Sequence, residues 1–456
     1  MISFPLKTYK TRLIVLFSIF SCIVAFINQY PLIYPDTGTY MYSGFTNRLF
    51  PDRPFFYGFF MRHTSLAVSP FLIVFAQGLL ICYILYITLG IFFKDNNKNK
   101  FFIFIMTFLI LTTGFSYNVS ILIPDIFSSI VILSFINLIF NNNLSKLEKI
   151  LIPIIFIFSI CTHFSNIAII GILLFLIGCF IIVRKIYKKS IYINLKKTLY
   201  VSIFFLSTLI IIPSVNYLVG EKFIISGGNH VFIMNHFIET GILEEYLKDE
   251  CKKTDYKICK YKDELGWNFI WSETSPLKKT GGWEGNEIEY NAIIKDIITT
   301  PKYFILIVRK SIVYTFKQFF KYDVTISPSQ LNADAFGQIS WHFSDTKREY
   351  ITSLQNESKL DVRPINIIQN IVVIVSVIFL FVLIINRNLL NKLSRSLKWI
   401  ILIILTHNFI SCFICSNLST ICPRFQNRII WMLPLFAAIS FFDLYGGKIK
   451  SILKRL

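Results

Sequence analysis

Long apolar runs alternate with short polar connections along the chain, a rhythm that predicts a bundle of membrane-crossing helices. A bilayer core of roughly 30 Å needs about 20 consecutive apolar residues per helix. Ten runs meet or approach that length, at about 13–32, 67–93, 101–116, 119–140, 149–164, 166–183, 198–219, 365–386, 399–415 and 429–445. The first has no small-residue cleavage site behind it and continues into Asn28-Gln29-Tyr30, as expected of a retained span rather than a signal peptide. The fifth and sixth share the turn Thr162-His163-Phe164-Ser165-Asn166 and admit a second reading as one long broken helix. The expected fold is an all-α polytopic membrane protein of about ten transmembrane helices in three parts. These are an N-terminal module of about seven spans (1–219), an outer-face segment (220–364) and a C-terminal module of about three spans (365–456).

Within the outer segment, Lys302 to Lys321 reads as an amphipathic helix, with Ile305, Val308, Ile312, Phe316 and Phe319 apolar and Arg309, Lys310, Lys317 and Lys321 basic. Such a helix lies in the membrane interface or lines a groove beside it. An eleventh span is the competing reading, but it would put Arg309, Lys310 and Lys317 in hydrocarbon at a few kcal/mol each.

Composition supports a membrane protein: 54% of residues are hydrophobic and 16% charged, against roughly 25% charged in soluble domains. A net charge of +20 would, in a soluble chain, point to nucleic acid or another polyanion. Placement removes that reading. With the N-terminus in the cytoplasm, the inner connections collect 22 basic residues, from Lys7, Lys10 and Arg12 through to Lys448, Lys450, Lys454 and Arg455. Only Asp95, Glu148 and Asp443 oppose them, so +19 faces inward and +1 of the +20 is left for the outside. Lys- and Arg-rich short loops stay cytoplasmic, which puts both termini inside.

Cys22, Cys82, Cys161, Cys179 and Cys412 lie in apolar runs as small hydrophobes. Cys251 with Cys259, and Cys415 with Cys422, fall on the outer side and are candidate disulfides in an oxidising compartment. Zinc at Cys412-Phe-Ile-Cys415 lacks a second ligand pair.

Polar residues concentrate behind the first span: Tyr34-Pro35-Asp36-Thr37-Gly38-Thr39-Tyr40, then Asn47-Arg48, Pro51-Asp52-Arg53-Pro54 with Tyr57, and Arg62-His63. Pro35 and Gly38 predict a turn that holds the Asp36 carboxylate at the membrane surface. A carboxylate there can accept a proton from a hydroxyl nucleophile, and Arg48, Arg53 and Arg62 offer planar forks that match phosphate. The plainer reading is a solvated loop in which Asp36 caps a helix and Asp52 pairs with Arg53. Asp125 follows Pro124 inside an apolar run, where an ionisable group is costly and suspect as functional. It also suits the start of a helix restarted by Pro124. His163 sits at the tip of the short hairpin, either facing the same outward pocket or simply satisfied in its turn. Arg424 and Arg428, one helical turn apart before the last span, either clamp a phosphate or snorkel to lipid head groups.

Together, Asp36 with Tyr40, Asp52-Arg53-Pro54 with Tyr57, Pro124-Asp125, and Pro423-Arg424-Phe425 resemble the motifs of the GT-C superfamily of membrane glycosyltransferases. The outer segment, through His230-Val-Phe, Glu239-Thr-Gly, Tyr246-Leu, Cys251, Cys259, Phe269-Ile-Trp271, Ser275-Pro276 and Gly281-Gly282, also resembles uncharacterised proteobacterial multi-span proteins. The GT-C resemblance implies transfer of a sugar from a polyprenyl-phosphate donor to a glycan or lipid acceptor on the outer face of the bacterial inner membrane. Asp36 would be the base, Arg424 a ligand of the carrier phosphate, and Asp125 a second acid orienting substrate or a divalent Mg or Mn ion. Arg428 and the basic helix at Arg309 would attend the phosphate at the interface. Thr37 stands where the family commonly has a second acidic or a serine residue, which leaves metal use and acceptor class open. A surface-polysaccharide polymerase and a transporter are the alternatives. Spans nearly free of Lys and Arg argue against a flippase path.

Overall fold

Proline and glycine punctuate the apolar runs, and the helices start and stop where those residues fall. In the computed structural model, which describes residues 9–188, 192–266, 268–326 and 333–453, the N-terminal part holds eleven helices. These are α1 (Tyr9–Ser21), α2 (Ile23–Ile27), α3 (Asp36–Thr46), α4 (Phe55–Ser65), α5 (Phe71–Leu89), α6 (Asp95–Thr112), α7 (Phe115–Ser120), α8 (Asp125–Phe140), α9 (Glu148–Cys161), α10 (Phe164–Ile186) and α11 (Leu195–Leu218). The outer segment carries α12 (Asn229–Glu239), α13 (Ile242–Glu250), α14 (Pro276–Thr280), α15 (Gly282–Gly285), α16 (Glu287–Thr299), α17 (Pro301–Phe319), α18 (Ala333–His342) and α19 (Lys347–Ile351). The C-terminal part is α20 (Arg363–Ile385), α21 (Arg387–Lys392), α22 (Arg395–Leu418), α23 (Pro423–Ile430) and α24 (Met432–Leu453). Lys7, Lys189, Lys454 and Arg455, counted above with the inward charges, lie outside the described residues.

The ten apolar runs are mostly helical but are interrupted, as at 28–32 and 121–124, and six helical segments among the described residues are long and apolar enough to cross a membrane: α5, α10, α11, α20, α22 and Pro423–Tyr445. The remaining runs form shorter helices, such as α8 and α9, or, in α6, open on the polar stretch Asp95 to Lys100. Thr162 and His163 break the chain between α9 and α10, His163 being extended at φ −150°, so the hairpin is two helices and not one.

The α8 helix is the axis of the bundle: every residue except Leu138 is buried. Around it α10, α11 and α20 turn apolar side chains outward, with Phe175, Ile210 and Phe381 all above 60% exposed. In water such faces would be unstable, whereas against lipid they need no further cover. The connections gather at two ends. At one, Lys10 pairs with Glu148 (2.8 Å), Tyr86 donates to Asn99 (2.8 Å), Lys197 reaches Asn142 (2.8 Å) and the Ser394 amide reaches Asp443 (2.9 Å). At the other lie Asp36, Arg53, Asp125 and Arg424. There the chain ends its first helices in an isolated bridge, in which Leu32 N donates to Ser120 O and Leu122 N to Leu32 O, both at 2.9 Å.

The outer segment has its own small core of Val231, Met234, Phe237, Leu243, Tyr246, Phe269, Leu277, Tyr290 and Ile293. The Cys251–Cys259 disulfide forms as expected beside it. The Cys415–Cys422 bridge does not: both thiols are free. Cys415 is still inside α22, buried, with its sulfur accepting from Arg428 Nη2 at 3.2 Å, while Cys422 precedes α23 with its backbone clamped by Gln318 (2.9 and 2.8 Å). The amphipathic helix is α17. It packs on α22 through Thr315–Asn417 (3.2 Å) and Phe316–Phe409, and leaves Phe304, Ile305, Val308 and Ile312 exposed.

Candidate functional site

The predicted loop behind the first span is two helices, α3 and α4, and their crossing sets the site. Gly44 and Gly58 meet there with backbone against backbone; a Cβ on Gly58 would lie 2.5 Å from Tyr40 O and from Ser43 Oγ. Only glycine permits that approach. Asp36 opens α3, an acid in a first helical turn where the backbone amides favour it. The turn expected around Pro35 and Gly38 is tighter than a loop: Gly38 is already helical, and α18 packs on it.

Six charged side chains form one continuous chain. Asp52 Oδ2 meets Arg53 Nη1 at 2.8 Å, Arg53 Nη2 meets Asp36 Oδ1 at 2.7 Å, and Arg424 Nη1 meets Asp36 Oδ2 at 2.8 Å. Arg424 Nε then faces Asp125 Oδ2 at 3.5 Å, and Arg428 Nη1 donates to Asp125 Oδ1 at 3.2 Å. Three aspartates and three arginines alternate, so the chain is neutral as a whole. Exposure peaks at 15% at Asp36 and Arg424 in its middle and falls to 2% at Asp125 and 0% at Arg428. Burial pushes the Asp36 carboxyl up, but the guanidiniums of Arg53 and Arg424 outweigh it and hold this acid well below the usual carboxylate range. Asp52 is pushed up, because its burial, with the neighbouring Asp36 charge added, outweighs Arg53 and a backbone hydrogen bond.

Aromatic rings and amides fix the charges. Tyr34 lies under Arg424 (4.3 Å to the ring centroid) and Phe425 flanks both Arg424 and Arg428. Tyr57 is fully buried, donates to Gln77 Oε1 at 2.7 Å, and packs edge-on against Tyr40; it supports the site from behind. Gln77 in turn donates to Val119 O and Ile121 O, tying α5 to the bridge strand. His163 joins through Ser165, whose hydroxyl lies 2.8 Å from His163 Nδ1 and accepts from Arg428 Nη2 at 3.0 Å.

Of the residues expected from the sequence, Asp36, Arg53, Asp125, Arg424 and Arg428 come together, with Tyr57 and His163 one shell behind. Arg62 does not join them; it is exposed and donates to Phe45 O at 3.0 Å. Arg309 also stands apart, exposed on α17. Gln77 and Asn427 were not anticipated; the amide of Gln77-Gly78 within an otherwise apolar run was the available signal for Gln77.

A cavity of about 20 Å³, room for one water, opens beside Asp125 and Arg424 and is lined also by Tyr34, Tyr117, Asn118 and Asn427. Among the described residues Asp125 Oδ2 and the Nε atoms of Arg53, Arg424 and Arg428 make no hydrogen bond, although Arg424 Nε and Asp125 Oδ2 face each other. A divalent ion does not fit these residues. Among the described residues no three His, Cys, Asp or Glu side chains converge, and the site carboxylates already face guanidiniums that repel a cation. Comparison of the chain with protein-family models, curated proteins and solved structures finds no match.

Proposed function

We propose that this chain is a polytopic glycosyltransferase of the bacterial inner membrane. It crosses the bilayer ten times with both termini in the cytoplasm. It moves a sugar from a polyprenyl-phosphate-linked donor to a cell-envelope glycan or lipid acceptor on the periplasmic side. The ten crossings are supported by the alternation of helix ends between the Lys- and Arg-rich end and the opposite, nearly neutral end, in the sense that the positive-inside rule requires.

The observation that carries the reading is the grip of Arg53 and Arg424 on Asp36 at a partly exposed position. In the donor-free protein the carboxylate neutralises two forks that match phosphate geometry. A donor phosphate arriving at the interface competes for Arg424 and releases Asp36. The freed carboxylate then accepts the proton of the acceptor hydroxyl as its oxygen bonds to the anomeric carbon. The bond from that carbon to the phosphate oxygen breaks, and the leaving polyprenyl phosphate keeps its charge against Arg424, with Arg428 and Asp125 behind. Because Asp36 is a weak base, positioning contributes more than basicity. Asp36→Asn and Arg424→Ala, each inserted and melting normally, are expected to cut product in a glycan mass-shift assay by about 10²-fold or more. Undiminished product in both variants overturns the assignment.

A further inference from the structure

The outer segment closes onto the first outer loop beside the ionic chain. Gly227 N donates to Pro51 O at 3.1 Å, and the Trp271 ring centroid lies 5.9 Å from the Arg53 guanidinium carbon, within cation–π reach. Trp271 is 58% exposed although its neighbours Phe269 and Ile270 are buried in the core of the outer segment. On the other side Ser275 is buried and caps α14 through Lys278 N. The ring is therefore held out toward solvent by chain anchored on both flanks. Its surroundings are polar: Glu273 and Thr274 are exposed, and the Ser272 hydroxyl lies 3.1 Å from that of Thr274. An exposed aromatic face with hydroxyl and carboxylate side chains in the adjoining residues, Glu273 itself lying 3.8 Å from Lys278 Nζ, matches a pyranose, which has an apolar C–H face of partial positive charge and a rim of hydroxyls. The electron-rich ring attracts the first and the rim bonds the second. Trp341 is as exposed, but no charge of the site lies against it.

We propose that Trp271 is the stacking platform of an acceptor subsite, and that a hexopyranose unit of an envelope glycan sits on it, one guanidinium away from Asp36. This rests on the transferase reading, and the test separates the two. The purified full chain in detergent is titrated calorimetrically with soluble oligosaccharides of glucose, galactose, mannose and N-acetylglucosamine, and separately with decaprenyl phosphate. Saturable binding of at least one oligosaccharide is expected. Trp271→Ala should weaken it about tenfold or more, Trp271→Phe should largely retain it, and both should bind decaprenyl phosphate as the parent does. Asp36→Asn should bind the oligosaccharide normally while making about 10²-fold less product. The proposal is overturned if the parent binds no oligosaccharide, or if Trp271→Ala binds it undiminished. Equal loss of decaprenyl phosphate binding would overturn it too, since Trp271 would then act only through Arg53. So would quenching of the Trp271 fluorescence by spin-labelled lipid in nanodiscs, which would make it a membrane anchor. If Asp36→Asn and Arg424→Ala both make undiminished product, the transferase reading fails while the binding result stands.

Discussion

Removing Asp125 strands a buried arginine. Arg428 is 0% exposed, and its carboxylate partner, Asp125, is 2% exposed at 3.2 Å. Without that partner the hydrogen bonds left to the Arg428 guanidinium among the described residues are to the Ser165 hydroxyl at 3.0 Å and the Cys415 sulfur at 3.2 Å, neither of them a carboxylate. Breaking a buried pair from one side costs about 3–5 kcal/mol, because the remaining charge stays desolvated. Asp125→Ala is therefore expected to lower unfolding free energy by about that amount in mixed-micelle denaturation. Asp125→Asn, which keeps the shape and one acceptor, should lose about 1–3 kcal/mol. In Asp125→Ala/Arg428→Met no charge is left unpaired, so the double variant should be more stable than the summed single losses by about 1–3 kcal/mol. Glu244→Ala, which breaks a solvent-exposed pair with Lys248, should leave unfolding unchanged. A loss below about 1 kcal/mol in Asp125→Ala, or strict additivity in the double variant, would refute the reasoning.

Two further outcomes follow from the packing. Gly58→Ala drives a methyl into Tyr40 O and Ser43 Oγ, so it should cost about 1–3 kcal/mol and displace Arg53 from Asp36; Gly178→Ala, with nothing within 4 Å, is the matched control, and equal melting of the two would count against a tight crossing. His236, buried in α12, is pushed down to about 4 by burial. Its folded pKa is below the unfolded value of about 6.5, so stability is constant above pH 6.5 and falls by up to about 1.4 kcal/mol per unit between there and about pH 4. His236→Phe should flatten that part of a pH–stability curve; an unchanged slope would show that the imidazole is not the group responsible.

Much of the site's composition was readable in order along the chain. Asp36 stood out because it follows a span with Pro35 before it, Asp125 because it is an acid in an apolar run, and Arg424 and Arg428 because they repeat at one helical turn. Arg62 and Arg309 offered the same chemistry and the same interfacial setting, yet they lie elsewhere, because the register of α4 and α17 turns them outward. Cys415 and Cys422 were close enough in sequence to suggest a bridge, but continuation of α22 to Leu418 fixes Cys415 on an inward face. The 251–259 bridge was legible because a short polar connection between two cysteines leaves little else for them to do.

What the sequence by itself determined is local: where apolar runs are long enough for lipid, which connections carry positive charge, and which helix is amphipathic. These depend on the solvent each residue meets, and hydropathy along the chain records that directly. The partners of the charges belong to the tertiary structure. Arg53 is 17 residues from Asp36, but Arg424 is 388 residues from Asp36 and Arg428 is 303 from Asp125. Those pairs exist because α23 packs on α8 and because two glycines let α3 and α4 cross closely, and shape complementarity of that kind leaves no periodic trace in the sequence.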